Sequence, residues 1–155
     1  VIKFIIAFLQ ILREKFMQEM YVTARLQEGM HFNVTTGSGH SIELDMLDGQ
    51  KQAMGASPME MLLVALAGCT GISVLSILYK RHMRITGYTL RVHGKRAEQH
   101  PKVYTEIAVE HELHGENLSV EWVERAIELS ETRYCGVEAM LSKTARITHT
   151  HTINP

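Results

Sequence analysis

"SPMEMLLVALAGCTGISVLSILYKRH", residues 57–82, is the stretch on which the fold turns. Ser57 is placed to cap a helix, and Pro58 falls at its first position, where a missing N–H costs nothing. From there to about His82 the side chains are apolar on nearly every side, with Met61, Leu62, Leu63, Val64, Leu66, Ile72, Val74, Leu75 and Ile77 among them. A helix apolar around its whole circumference belongs at the centre of a domain. Gly68 and Gly71 each weaken it by about 1 kcal/mol relative to alanine. They predict a bend next to Cys69, with free N–H groups at the start of the second segment.

Either side of this helix the apolar residues recur every second position. Upstream, "YVTARL" (21–26) and "MHFNVTT" (30–36) alternate across Glu28-Gly29, "TGSGHS" makes a second turn, and "SIELDML" (41–47) reads as a third strand. Downstream, Tyr88, Leu90 and Val92 share one strand face, and in "KVYTEIAVEHEL" Val103, Thr105, Ile107 and Val109 share another. Asn117 or Ser119 caps a helix over "VEWVERAIELSETR" (120–133), whose early glutamates suit the helix dipole. "CGVEAMLSK" (135–143) reads as a short helix, and "ARITHTHTI" (145–153) closes the chain as a strand. The order gives an α+β domain of antiparallel strands around a long buried central helix.

Length and composition agree with a single domain. The chain has 155 residues and a formal net charge of -1, enough to bury a core and too balanced to bind nucleic acid electrostatically. The most basic cluster is "YKRHMR" (79–84). Two cysteines do not make a secreted disulfide scaffold and point to reduced thiols in the cytoplasm. Residues 1–16 read as an amphipathic extension, with Ile5, Phe8, Leu9, Leu12 and Phe16 on one helical face. That stretch is too short and too charged for a membrane span, and Met17 or Met20 is a natural start for the domain, residues 17–155.

Cys69 and Cys135 are the sharpest candidates for chemistry. Each is either a small residue packed in an apolar helix or a thiolate activated by helix N–H groups or a cation. If both react, a sulfenic acid on one can be resolved by the other. His149 and His151 share a strand face, but the remaining histidines, including His93, His100, His111 and His114, lie in or beside other strands. Three or four convergent ligands are needed for a metal centre, so no metal is expected. "GSGHS" lacks the lysine and helix of a phosphate loop, and no serine stands in a nucleophile elbow.

Together "GASPMEMLLVALAGCTGISVLSILYKR" (55–81) and "YCGVEAMLSKTARITHT" (134–150) resemble the OsmC/Ohr family of thiol-dependent organic hydroperoxide reductases. The resemblance covers the order of elements from about Tyr21 to the end. It implies an α+β fold, an intertwined homodimer with active sites at the subunit interface, and no metal or organic cofactor. Cys69 matches the peroxidatic cysteine and Cys135 the resolving one. An organic hydroperoxide would be the substrate, and an external dithiol such as a lipoylated protein the reductant, with neither nucleic acid nor membrane as a partner.

The sequence departs from that family at the activating pair. Members pair an arginine from the N-terminal strands with a glutamate directly after the helix-starting proline. Here Met59 follows Pro58 and Glu60 comes one residue later, a rotation of about 100° on a helix. Leu26 or Gln27 stands near the arginine's place, and Arg25, on the same strand face as Gln27, is the best substitute. Gly136 follows Cys135 where a proline is frequent. The leading expectation is a peroxidase using Cys69, Cys135, Arg25 and Glu60. The alternative is a protein of the same fold that binds a small apolar ligand through inert cysteines.

Overall fold

The computed structural model describes residues 19–46 and 52–154. The expected amphipathic extension, residues 1–16, lies outside them. The chain divides into two compact units, Val1–Pro58 and Met59–Pro155.

The first unit holds a meander of three antiparallel strands, β1 (Val22–Leu26), β2 (Phe32–Thr36) and β3 (Ser41–Leu44). Its turns fall where the sequence placed them. Gly29 has φ 63° and Gly39 φ 86°, backbone that a residue with a Cβ enters only with strain. The register sets Arg25 opposite Asn33 and Ala24 opposite Val34. Val34 is buried, whereas every residue of β1 is exposed.

The second unit packs α1 (Pro58–Lys80) against a sheet of β4 (Arg84–Arg96), β5 (Tyr104–Glu116) and β6 (Arg146–Asn154), with β5 central. By length and composition α1 could cross a membrane. Here Leu66, Val74 and Leu78 are fully enclosed and join β5 residues Ile107, Val109 and Leu113 in two apolar clusters. Each such side chain stabilises the fold by about 1.5–3 kcal/mol. Gly71 is the close-approach point, because a Cβ there would stand 2.8 Å from Leu90 Cδ1 on β4. The Tyr104 hydroxyl donates to the Met59 carbonyl at 2.9 Å and fastens the first turn of α1 to β5.

Three expectations need correction. The helix does not break at Gly68; it runs unbroken from Pro58 to Lys80, so Cys69 has no free helix N–H groups before it. Nor is the helix buried on all sides within one chain, since Leu62, Val64, Ile72 and Tyr79 are exposed. Third, the strands are not all antiparallel. β4 and β5 are, but β6 pairs parallel to β5, because the helical connection between them is long enough for the crossover that parallel pairing requires.

A register shift at Lys95/Arg96 adds a smaller departure. Arg96 pairs with Tyr104 and Lys95 with Glu106, so Thr105 is the extra residue of a bulge. The bulge reverses the alternation at that point. Tyr104 turns into the core and Thr105 out of it, while the expected face holds from Ile107 onward.

The crossover carries the second cysteine. α2 (Val120–Leu129) is capped by Ser119, whose hydroxyl accepts from the Trp122 N–H at 3.3 Å, and it buries Val123, Ala126 and Ile127. The sequence predicts that this helix continues to Arg133. It instead widens into a π turn, Ser130–Tyr134, closed by the Cys135 N–H donating to the Ser130 carbonyl at 2.9 Å. Such turns are rare and occur often at functional sites. Cys135 then caps the short α3 (Gly136–Leu141).

Candidate active site

The structure brings the two cysteines together. Cys69 lies midway along α1 and is half-buried, and Cys135 is buried. Cys69 packs against the apolar cluster that contains Cys135, Leu66, Ile107 and Val109. Its thiol is close enough to influence the Cys135 sulfur electrostatically.

The Cys135 sulfur is held from two sides. It accepts from the Glu138 N–H at 3.4 Å, as the N-cap of α3. The hydroxyl of Thr70, the residue after Cys69, donates to it at 3.7 Å. Burial pushes the Cys135 thiol up from its ordinary value, and the neighbouring Cys69 pushes the same way. The Glu138 N–H and the Thr70 hydroxyl oppose both by favouring the thiolate. The outcome is a raised pKa, a thiol that stays protonated until something attacks or relieves it.

Glu60 lies nine residues before Cys69 on the same unbroken helix, about two and a half turns, so the two side chains leave it on opposite sides. Glu60 bears instead on Tyr104, where its charge adds to the burial that raises the phenol. Arg25 is exposed on β1, where the Gln27 side-chain amide donates to its carbonyl at 3.3 Å.

Sequence reasoning missed a polar chain behind Cys135. Tyr88 Oη and His111 Nδ1 are 2.6 Å apart, His111 Nε2 and His149 Nδ1 2.9 Å, and His149 Nε2 and Glu138 Oε1 3.0 Å. Glu138 is thus joined to Cys135 through its backbone and to His149 through its side chain. Burial, with the charges of His149 and His151, holds the His111 pKa down to about 3. His111 is therefore neutral, and a proton on each ring satisfies the row. The only advance signal was His111 on the apolar face of β5, in register with Ile107 and Val109. His149 and His151, singled out as a pair, take different partners, because His151 faces Glu124 at 3.7 Å.

A groove of about 470 Å³ also opens along α1, lined by Ile72, Ile77, Lys80, Arg81, Trp122 and Tyr134 among others. The Arg81 guanidinium lies 3.5 Å above the Trp122 ring, a cation–π contact. Ile72 and Ser73, three and four residues beyond Cys69, share its helix face.

Known proteins agree with this architecture. The sequence model of OsmC-like proteins matches residues 49–150. Protein YhfA of Escherichia coli (strain K12) is 34% identical over 134 residues, 86% of this chain and 98% of that one. A hypothetical protein of Aquifex aeolicus VF5 superposes with a TM-score of 0.80 at 29% identity, covering 89% of this chain and 98% of its own. An organic hydroperoxide resistance protein OsmC of Legionella pneumophila shares the fold with a TM-score of 0.65 at 12% identity, over 88% and 98% of the two chains. The unbroken apolar helix, the two paired thiols and these matches across most of the chain have one explanation: the chain belongs to the OsmC-like protein family.

Proposed function

We propose that the protein is a thiol-dependent peroxidase that reduces organic hydroperoxides, with Cys69 peroxidatic and Cys135 resolving. The observation that carries this reading is the pair of free thiols gathered at one apolar cluster, one half-buried and one enclosed. The Cys69 thiolate attacks the distal oxygen of ROOH, the O–O bond breaks, and the alkoxide leaves as ROH with a proton. Cys69 becomes a sulfenic acid. Oxidation of Cys69 takes away the neighbouring thiol that helps to raise Cys135, which then ionises more readily. The Cys135 sulfur attacks the sulfenic sulfur, water leaves, and a disulfide forms. An external dithiol returns both thiols and is itself oxidised to a disulfide.

A cation would favour the Cys69 thiolate, and Arg25 is the proposed source, with Glu60 in a supporting role. The exposed Leu62, Val64 and Ile72 of α1 are apolar surface of the kind a second subunit covers, which supports a homodimer. The hydroperoxide resistance named for the Legionella protein supports the same chemistry here. Cytoplasmic location is proposed with it, since both cysteines are free thiols.

The test is a free-thiol count and mass before and after one equivalent of cumene hydroperoxide. Loss of two thiols with a mass change of about -2 Da supports the disulfide route. Unchanged thiols overturn it. They would leave the second reading, an apolar ligand held in the groove beside Ile72 and Trp122, which that groove's apolar lining favours.

A further inference from the structure

Beyond the two thiols, one polar cluster in the second unit has more ligand atoms than its hydrogen bonds use. Glu131 comes from the π turn, Glu138 from α3 and His149 from β6. Their ligand atoms all lie within 4.8 Å of one another. His149 Nε2 stands 3.0 Å from Glu138 Oε1 and 3.4 Å from Glu131 Oε1. A tetrahedral centre with bonds of about 2.0–2.1 Å needs its ligand atoms about 3.3–3.4 Å apart. These contacts are within a few tenths of an ångström of that requirement.

An independent observation points to a missing partner. Glu138 is 6% exposed, and its Oε2 is buried with no hydrogen-bond partner. A buried carboxylate oxygen left unpaired is costly, and a cation bound at this cluster would offset that cost. Among the described residues His149 is the only basic side chain within ion-pairing distance of either glutamate. Burial, reinforced by the charges of Glu138 and Glu128, raises Glu131 against the opposing effect of His149. Glu131 is about one-third exposed at its side chain and leaves a way in from solvent.

We propose that Glu131, Glu138 and His149 bind a divalent transition-metal ion, with Zn2+ the ion to test first. The row behind His149 suits that role. When Nε2 gives its lone pair to a metal, Nδ1 must carry the proton and donate it. His111 Nε2, 2.9 Å away, accepts it, and His111 Nδ1–H then donates to the Tyr88 oxygen at 2.6 Å. Both imidazoles stay neutral in either direction of the row, so metal entry reverses the hydrogen bonds without needing a buried imidazolium. One imidazole and two carboxylates leave a fourth position open, and the mixed nitrogen and oxygen set suits Zn2+ better than Mg2+ or Ca2+. The bound ion would tie the π turn and α3 to β6, on either side of Cys135.

The experiment is calorimetric titration of ZnCl2 into the untagged, reduced, chelator-stripped protein, followed by X-ray absorption at the zinc edge. The expected result is one Zn2+ per chain at micromolar affinity or tighter. Its shell should hold nitrogen and oxygen at about 2.0–2.1 Å and no sulfur at about 2.3 Å. Glu131→Gln and Glu138→Gln should each weaken binding at least about tenfold, and His111→Gln by a comparable factor through the outer shell. Glu131 is partly exposed, so its variant keeps the test decisive if the Glu138 variant does not fold. Sulfur in the shell, less than one Zn2+ per chain, or an unchanged affinity in Glu131→Gln would overturn the site.

Discussion

Cys69 and Cys135 share one apolar cluster, yet they belong to different kinds of structure. Cys69 sits inside a regular helix, half-buried, among residues whose only evident task is to be apolar. Cys135 stands at the join between a π turn and a short helix, enclosed, with a backbone N–H and a hydroxyl aimed at its sulfur. Behind it run Glu138, His149, His111 and Tyr88. The contrast separates two tasks. A sulfur that must meet an outside apolar molecule needs exposure and an apolar approach. A sulfur that must wait and then attack its neighbour needs to be fixed in place and kept protonated, and burial with directed donors does both.

The largest effect expected from breaking this contrast is at Cys69. Cys69→Ser should reduce hydroperoxide consumption to the uncatalysed rate in a steady-state peroxide assay, because no other thiol in the chain is open to the substrate. Cys135→Ser should halt the enzyme after one turnover and leave Cys69 as a sulfenic acid, detectable with a dimedone-type probe and mass spectrometry. If both variants turned over like the parent, the division of labour would be wrong.

A pH titration of stability sharpens the polar side of the comparison. His111 has its pKa lowered to about 3 in the fold, against about 6.5 in an unfolded chain. The unfolded state therefore binds the extra proton first. The stability from neutral His111 is complete above about pH 6.5 and is lost as pH falls towards 3, at up to about 1.4 kcal/mol per pH unit. In urea melts from pH 7 to pH 4, His111→Leu should show a shallower decline than the parent. A parallel decline in the two proteins would remove His111 from the acid response.

Smaller effects are expected at the cap and at the proposed cation. Cys135→Ala removes the cap of α3 and should cost about 1 kcal/mol in a denaturant melt, whereas Cys135→Ser keeps a capping atom and should cost less. Arg25→Ala should slow alkylation of Cys69 at neutral pH several-fold, read from the rate of iodoacetamide labelling, because a cation favours the reactive thiolate. Glu60→Gln should change it less, since Glu60 leaves α1 on the side away from Cys69.

Much of the fold was legible because it depends on periodicity. The period-two runs at 21–26, 30–36 and 102–113 and the apolar stretch after Pro58 can be satisfied only by strands and a core helix. From Ile107 onward the apolar face of β5 followed from the same rule, while Val103 and Thr105, before the bulge changes the phase, are exposed. The supposed break at Gly68 failed for a physical reason: the intrinsic cost of glycine is small beside the packing of Leu66, Val74 and Leu78, and Gly71 is needed for close approach to Leu90. The parallel pairing of β6 leaves no mark on its own alternation, since parallel and antiparallel strands expose side chains with the same period.

By itself, then, the sequence determined the element order, the central helix, the two reactive candidates and, through their setting, the family. Those depend on local residue type and spacing, which neighbours in the chain specify. Only the tertiary structure decided that Cys69 and Cys135 come to one apolar cluster, and that Glu138, His149, His111 and Tyr88 form one row. Such contacts join residues far apart in the chain, and their geometry depends on register, crossover and the π turn at Ser130–Tyr134, where a shift of one residue redirects every side chain that follows.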